Sequence, residues 1–128
     1  MGWAVHYSHT AIQVADLDAS LAFYEDGLGL DHQWDFTLDG VENYYVGTGD
    51  TAQLQLKYDP GSDGAVDTAG IDHLAFGVDD ADAAFDRLVA ATDCPVVTPP
   101  TDVAAAGRRV AFVADPDGYE VELVAPMR

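Results

Sequence analysis

The sequence has few basic residues and almost no cysteine. Lysine and arginine together number 5 against 23 aspartates and glutamates, so the formal net charge of the 128 residues is −18. A surface of this charge repels phosphate backbones and anionic lipid headgroups, which excludes nucleic acids and acidic membranes as partners. The single cysteine, Cys94, excludes a disulfide within the chain.

Long hydrophobic runs are missing too. No apolar stretch approaches the ~18 residues of a membrane span, and the N-terminus lacks the basic and apolar segments of a signal peptide. Hydrophobic residues nevertheless make up 48% of the chain, too many for a disordered protein. We therefore expect one cytoplasmic globular domain over residues 1–128. The acidic residues are scattered along the whole chain, which indicates a halophilic protein, because concentrated salt screens such self-repulsion.

The sequence repeats itself once. Aligning His9 with His73 superimposes the strand-like segments HTAIQV and HLAFGV, which alternate between apolar and polar residues. In both halves an Asp-containing turn follows and caps a helix, and three further strand-like segments come after that helix. These segments are DHQWDFTL (31–38), NYYVGT (43–48) and AQLQLKY (52–58) in the first half, and PVVT (95–98), RRVAFVA (108–114) and YEVELVA (119–125) in the second. The pattern predicts an α+β fold made of two βαβββ modules, about residues 5–58 and about residues 70–126.

Strand alternation gathers polar side chains on one face of each module. His9 lies on the first strand of module one and Gln55 on its last strand; His73 and Glu122 hold the matching positions in module two. Two imidazoles, an amide oxygen and a carboxylate form a plausible shell for a divalent transition metal with open positions. The alternative is that both histidines make ordinary hydrogen bonds. The two-fold repetition of the set favours the metal site.

Several segments resemble the vicinal oxygen chelate superfamily: SHTAIQVADLDASLAFYEDGLGL, LQLKY, IDHLAFGVDD and AFVADPDGYEVELV. The resemblance implies two βαβββ modules that form a cupped mixed sheet around a metal (the glyoxalase/bleomycin resistance/dioxygenase fold). It is strongest to small bacterial glyoxalase I. Carried over by residue, it makes His9, Gln55, His73 and Glu122 the metal ligands, with Glu122 also the catalytic base. Each site would hold one divalent ion: Ni, Co, Mn or Zn.

The resemblance also implies an activity and an assembly. Small glyoxalases are lyases or isomerases that convert the hemithioacetal of a thiol and a 2-oxoaldehyde into a 2-hydroxyacyl thioester through an enediolate, the chemistry of methylglyoxal detoxification. They are homodimers in which each site joins ligands of both subunits. The alternative is that both modules of one chain close on each other, which places all four ligands in one subunit. Gln13, Asp59 and Ala104 stand here where the family has groups that hold glutathione. Arg108 and Arg109 could hold a different anionic thiol.

Two other activities stay open. Methylmalonyl-CoA epimerase has a similar His, Gln, His and Glu set and would take an acyl-CoA, although the DPDGY turn is not typical of that enzyme. A fosfomycin-resistance transferase or a bleomycin-binding protein is the third candidate. The transferase needs cationic groups for a phosphonate, and this chain offers few of them. A metal-free binder has no need for four matched ligands.

Overall fold

The computed structural model describes residues 4–128 and contains the same module twice. Module one comprises β1 (His9–Val14), α1 (Leu17–Leu21), a π-helical turn (Ala22–Gly27), β2 (Asp31–Leu38), β3 (Val41–Gly47) and β4 (Gln53–Tyr58). Module two comprises β5 (Leu74–Gly77), α2 (Ala81–Thr92), β6 (Val96–Val103), a 3-10 turn (Ala104–Ala106), β7 (Arg108–Ala114) and β8 (Glu120–Pro126).

Each module forms one four-stranded mixed sheet. The strand orders are β1-β4-β3-β2 and β5-β8-β7-β6. In each sheet the first strand pairs in parallel with the last, and the other pairs are antiparallel. The predicted α+β fold of two βαβββ modules is confirmed. A parallel pair needs a long connection between its strands, and the helix with the two intervening strands supplies it.

Equivalent aspartates begin the two helices. The Asp16 carboxylate accepts a hydrogen bond from the backbone amide of Ala19 (3.1 Å), and Asp80 accepts one from Ala83 (3.0 Å). Each bond satisfies one of the amide groups that a helix N-terminus leaves without a partner. The helix caps predicted from the repeat are therefore present in both modules. Among residues 4–128, no helix has the length and apolar character that crossing a membrane requires.

The apolar rows of both modules meet in one hydrophobic cluster. Its buried members come from both sheets and both helical segments: Ile12, Val14, Phe23, Tyr24, Val46, Leu54, Leu56, Leu88, Val113, Tyr119, Val121 and Leu123. The π-helical turn buries two consecutive aromatic side chains, Phe23 and Tyr24. At Gly27 a Cβ atom would lie 2.7 Å from the Leu88 side chain, so glycine allows the two helices to approach closely.

The observed bounds of three strands can be compared with those predicted from the sequence pattern. Strands β2 and β7 begin and end where the pattern predicts them, at residues 31–38 and 108–114. Strand β6 continues to Val103, although the pattern predicted only residues 95–98. This extension contains Pro99 and Pro100, which cannot donate to a ladder, and the register against β7 shifts there.

A buried hydrogen bond joins the turn at residues 115–118 to module one. The Tyr24 hydroxyl donates to the Asp115 carboxylate (2.7 Å). The same carboxylate accepts from the backbone amides of Asp117 and Tyr119, both at 2.9 Å. Burial raises the pKa of Asp115 above its usual value, and these three hydrogen bonds oppose that rise.

Two further hydrogen bonds cross between the modules at this turn. The backbone amide of Ala15 donates to Asp117 (3.0 Å), and the Tyr119 hydroxyl donates to the Gln13 carbonyl (3.0 Å). The turn therefore fixes module two against the end of β1, the strand that begins at His9.

We expect Tyr24→Phe to destabilise the protein by about 1–3 kcal/mol, because a buried carboxylate loses a donor. The loss raises the pKa of Asp115 further. A carboxyl group whose pKa is higher in the folded state opposes folding once it ionises. The loss of unfolding free energy in Tyr24→Phe should therefore grow as the pH rises through the pKa of Asp115 and shrink in acid. Urea unfolding in acid and at neutral pH measures it.

Tyr44→Phe is the matched control, because the Tyr44 hydroxyl donates to Glu25, which keeps contact with water. It should cost less than Tyr24→Phe at neutral pH. An equal, pH-independent cost for both variants would show that the buried carboxylate does not need the Tyr24 hydroxyl.

Candidate metal centre

In module two, two of the predicted ligands lie side by side. His73 immediately precedes β5, and Glu122 lies on β8 opposite Ala75. The distance from His73 Nε2 to Glu122 Oε1 is 3.2 Å. Two donors that each lie about 2.1 Å from one cation, at a right angle, are about 3 Å apart. The spacing of this pair therefore fits two ligands of one metal ion.

The other ring nitrogen of His73 is already engaged. Asp72 Oδ1 lies 2.6 Å from His73 Nδ1. This hydrogen bond raises the pKa of His73 above its ordinary value; burial opposes the rise and the charge of Glu122 adds to it. A carboxylate on Nδ1 leaves Nε2 directed at a ligand, the arrangement found around many metal-bound histidines.

Module one offers a histidine of the same kind. His9 Nδ1 lies 2.9 Å from the Ser8 hydroxyl, which leaves Nε2 without a partner among the described hydrogen bonds. The imidazole meets the Tyr45 ring edge-on, with the ring centroids 5.3 Å apart. Tyr45 is buried, so it supports the imidazole from one side.

Gln55 lies on the same face of this sheet as His9. It pairs with Ala11, two residues along β1 from His9, so the two side chains share one face. Gln55 is 6% exposed, and its Nε2 donates to Asn43 Oδ1 (2.8 Å). Its side-chain oxygen remains available to a ligand. In all four candidates the chemistry and orientation of the donors thus fit a divalent cation.

A single chain does not bring all four candidates together. Three of them are His or Glu, so a complete site within one chain would gather at least three such groups. No group of three His, Cys, Asp or Glu side chains that could hold a metal occurs within residues 4–128. The apolar rows of both modules face one shared core. The four candidates therefore lie as two pairs, His9 with Gln55 and His73 with Glu122, and we call these pairs half-sites.

A cavity of about 440 Å³ adjoins the module-one half-site. It lies between the polar face of the sheet and the loop that connects the modules, and it is lined by Gln13, Asn43, Gln55 and Lys57, among others. Lys57 is the only lysine of the chain. Sequence reasoning missed Asn43, although alternation from Tyr45 puts it on the polar face.

Arg109, one of the two arginines predicted to hold an anionic thiol, already forms ion pairs within the chain. Arg109 forms a two-pronged ion pair with Asp82 (2.6 and 2.9 Å) and contacts Asp102 at 3.1 Å. These contacts hold β7 to α2 and to β6. Arg108 has no acidic partner among the described residues and remains a candidate for this role.

Comparison with known proteins decides the family. The model of the Glyoxalase/Bleomycin resistance protein/Dioxygenase superfamily matches residues 6–123. The chain belongs to this superfamily. The resemblance read from the sequence is thereby confirmed.

Two superfamily members with similar sequences are named as lactoylglutathione lyases. A probable lactoylglutathione lyase from Synechocystis sp. is 35% identical over 121 residues, which cover 91% of this chain and 92% of that protein. The lactoylglutathione lyase of Haemophilus influenzae is 32% identical over 123 residues, with 91% and 89% covered.

Solved structures of superfamily members agree in fold. The trypanothione-dependent glyoxalase I of Leishmania major superimposes with a TM-score of 0.81 at 29% identity, covering 95% of this chain and 87% of that one. Glyoxalase I of Zea mays gives a TM-score of 0.80 at 22% identity, which shows the fold alone. This chain spans about half of the maize chain, 45% of its length.

Proposed function

We propose that this protein is a metal-dependent enzyme of the glyoxalase I type. Its reaction would convert the hemithioacetal of a thiol and a 2-oxoaldehyde into a 2-hydroxyacyl thioester. The observation that carries the proposal is the His73–Glu122 pair, whose 3.2 Å separation suits two ligands of one cation. The similarity to proteins named lactoylglutathione lyase supports this reaction over others of the superfamily.

His9, Gln55, His73 and Glu122 would hold one divalent ion, with Ni, Co, Mn and Zn all compatible with these donors. When bound, the ion supplies positive charge that stabilises the negative charge developing on the substrate oxygens. Asp72, Ser8 and Asn43 keep three of the donor groups in place through hydrogen bonds. Such outer partners fix the tautomer and the orientation of the groups they bind.

Glu122 would move the proton. Its carboxylate would take the proton from the substrate carbon that bears sulfur and return it to the neighbouring carbonyl carbon, through an enediolate. The hydroxyl proton on the first carbon moves to the oxygen of the second, so that the first carbon becomes the thioester carbonyl. No oxidant or reductant is needed, because two protons and an electron pair only change position. The Glu122 side chain is 16% exposed and lies opposite Phe112 on the adjacent strand. This partial shielding from water favours return of the same proton to the substrate.

The two half-sites of a chain point to a shared site in a homodimer. His9 and Gln55 of one subunit would meet His73 and Glu122 of the partner subunit across a two-fold axis. Two-fold symmetry then produces two equal sites, and it is the commonest way for a soluble protein to assemble. Exposed apolar side chains on the polar face of module one, Trp34 and Leu38, suit such an interface.

The thiol is expected to differ from glutathione. Gln13 and Asp59 stand where the family has groups that hold glutathione, and both line the cavity beside Gln55. A net charge of −18 also disfavours a thiol with several carboxylates. The relative from Leishmania major is described as trypanothione-dependent. Rates with methylglyoxal and a panel of thiols, glutathione included, would rank the candidates.

Epimerisation of an acyl-CoA is the second candidate. The observation that favours it is the amide at position 55, since the epimerase resembles this chain in its glutamine ligand. Proton removal and return by Glu122 would serve both reactions. Parallel assays with methylmalonyl-CoA and with a methylglyoxal hemithioacetal separate them.

The first prediction concerns metal binding. His73→Ala should weaken binding of Ni²⁺ by more than about 100-fold, because losing a direct ligand exceeds the loss of an outer partner. Calorimetric titration of the metal-free protein measures the change. His32→Ala is the matched control, since His32 pairs with Asp35 outside the half-sites. Full metal affinity in His73→Ala would remove His73 from the ligand set.

The second prediction concerns Glu122. Glu122→Gln keeps an oxygen donor but cannot accept a proton at neutral pH, so part of the metal binding should persist while kcat falls by about 100-fold or more. Metal content and turnover are measured on the same preparation. Near-normal turnover with bound metal would exclude Glu122 as the base.

The third prediction concerns the shared site. His9→Ala and His73→Ala proteins should each be inactive. After subunit exchange, half of the dimers are mixed and have one intact site of two, so about a quarter of the wild-type activity should return. Differently tagged subunits and native mass spectrometry verify the exchange. Complete exchange without recovery would contradict a site shared between subunits.

A further inference from the structure

A short chain of hydrogen bonds runs behind Gln55. The Asn43 side-chain amide donates from Nδ2 to the Val41 carbonyl (3.1 Å), and Asn43 Oδ1 accepts from Gln55 Nε2 (2.8 Å). Asn43 is 4% exposed and Gln55 is 6% exposed, so water does not substitute freely for either partner. Buried polar groups of this kind are costly to leave without a partner.

The Val41 carbonyl fixes which group donates and which accepts in both hydrogen bonds. A carbonyl oxygen can only accept, so Asn43 must turn its NH₂ group toward Val41. Its oxygen then faces position 55, and the residue there must donate. Turning the Asn43 amide around would place oxygen against oxygen at Val41. Gln55 satisfies the requirement with its own NH₂ group, which leaves Oε1 as its free donor atom.

We propose that Asn43 is a positioning residue that fixes the Gln55 amide with its oxygen free for the metal and makes position 55 selective for an amide over a carboxylate. The metal half of this inference rests on the proposed function. The selection of an amide rests only on the hydrogen bonds and applies to the metal-free protein.

The selectivity follows from counting acceptors. A glutamate at position 55 would bring a second acceptor to about the same distance from Asn43 Oδ1, inside a buried contact. Neither oxygen could donate while the carboxyl group is ionised, so both would lose a hydrogen bond without gaining water, and a glutamate could restore the bond only by taking up a proton. The Asn43 contact therefore favours glutamine over glutamate at position 55.

The stability test is a double-mutant cycle in the metal-free protein. Gln55→Glu should raise the unfolding equilibrium constant by about 10- to 100-fold when Asn43 is present. Asn43→Thr supplies a hydroxyl that can accept from Gln55 or donate to a glutamate. In the Asn43→Thr background, the increase in the unfolding equilibrium constant caused by Gln55→Glu should be at least about 5-fold smaller. Both backgrounds bury the same carboxylate, so the difference isolates the direction of the hydrogen bond. An equal cost in both would overturn the proposal.

The metal test uses Asn43→Leu, which removes the acceptor and frees the Gln55 amide to rotate. Ni²⁺ affinity should fall by about 10- to 100-fold, as for other outer partners of metal ligands, and Asn43→Thr should lose less. If Asn43→Leu does not fold, Asn43→Ala provides the same comparison. Unchanged affinity in Asn43→Leu, with weakened binding in His73→Ala, would overturn the positioning role and leave the proposed function standing. Unchanged affinity in both would overturn the metal site itself.

Discussion

The buried bond between Tyr24 and Asp115 is the contact on which the arrangement of the two modules depends. It joins the helical segment of module one to the turn that precedes β8, and β8 carries Glu122. A carboxylate at this depth is stable only with several donors, and three are present. Without them the charge would have to reach water, and the turn would leave the core. This polar contact inside the apolar core thus holds the turn before β8 against module one.

The sequence predicted much of the fold because the repeat and the alternation act together. The capping aspartates, the two half-buried first strands and the bounds of β2 and β7 all follow from local patterns. The hydrogen bond between Gln55 and Asn43 does not follow from a local pattern, because residue spacing does not predict which side chains on adjacent strands will bond. The full length of β6 escaped prediction for a related reason. Its extension past two prolines depends on the neighbouring strand β7, not on local propensity.

The four candidate ligands were readable from the sequence as a set. The structure brings His73 to Glu122, and it puts His9 and Gln55 on one face of the other sheet. Within residues 4–128 the two pairs do not join into one group of three or more His, Cys, Asp or Glu side chains. The ligand roles and the dimer accordingly stay predictions.

The scarcity of positive charge shapes what the surface can do. Arg109 is engaged by Asp82 and Asp102, and Arg128 is engaged by Asp80. The hydrogen bond from Arg109 lowers the pKa of Asp82, and the backbone amide at the helix start lowers that of Asp80. Two of the five basic residues thus serve as ties for α2. The remaining acidic surface carries uncompensated charge, and dissolved salt weakens its self-repulsion.

The parallel pairing of first and last strands has a consequence for the order of folding. In each module the antiparallel pairs join strands that follow each other directly along the chain, whereas the parallel pair joins the first strand to the last and closes the longest loop of the module. Loop closure of this kind costs chain entropy before any contact repays it. The candidate half-sites span these same pairs, so His9 comes near Gln55, and His73 near Glu122, only after the longest loop of the module has closed. A module that has formed only its helix and hairpins therefore still holds its candidate ligands apart.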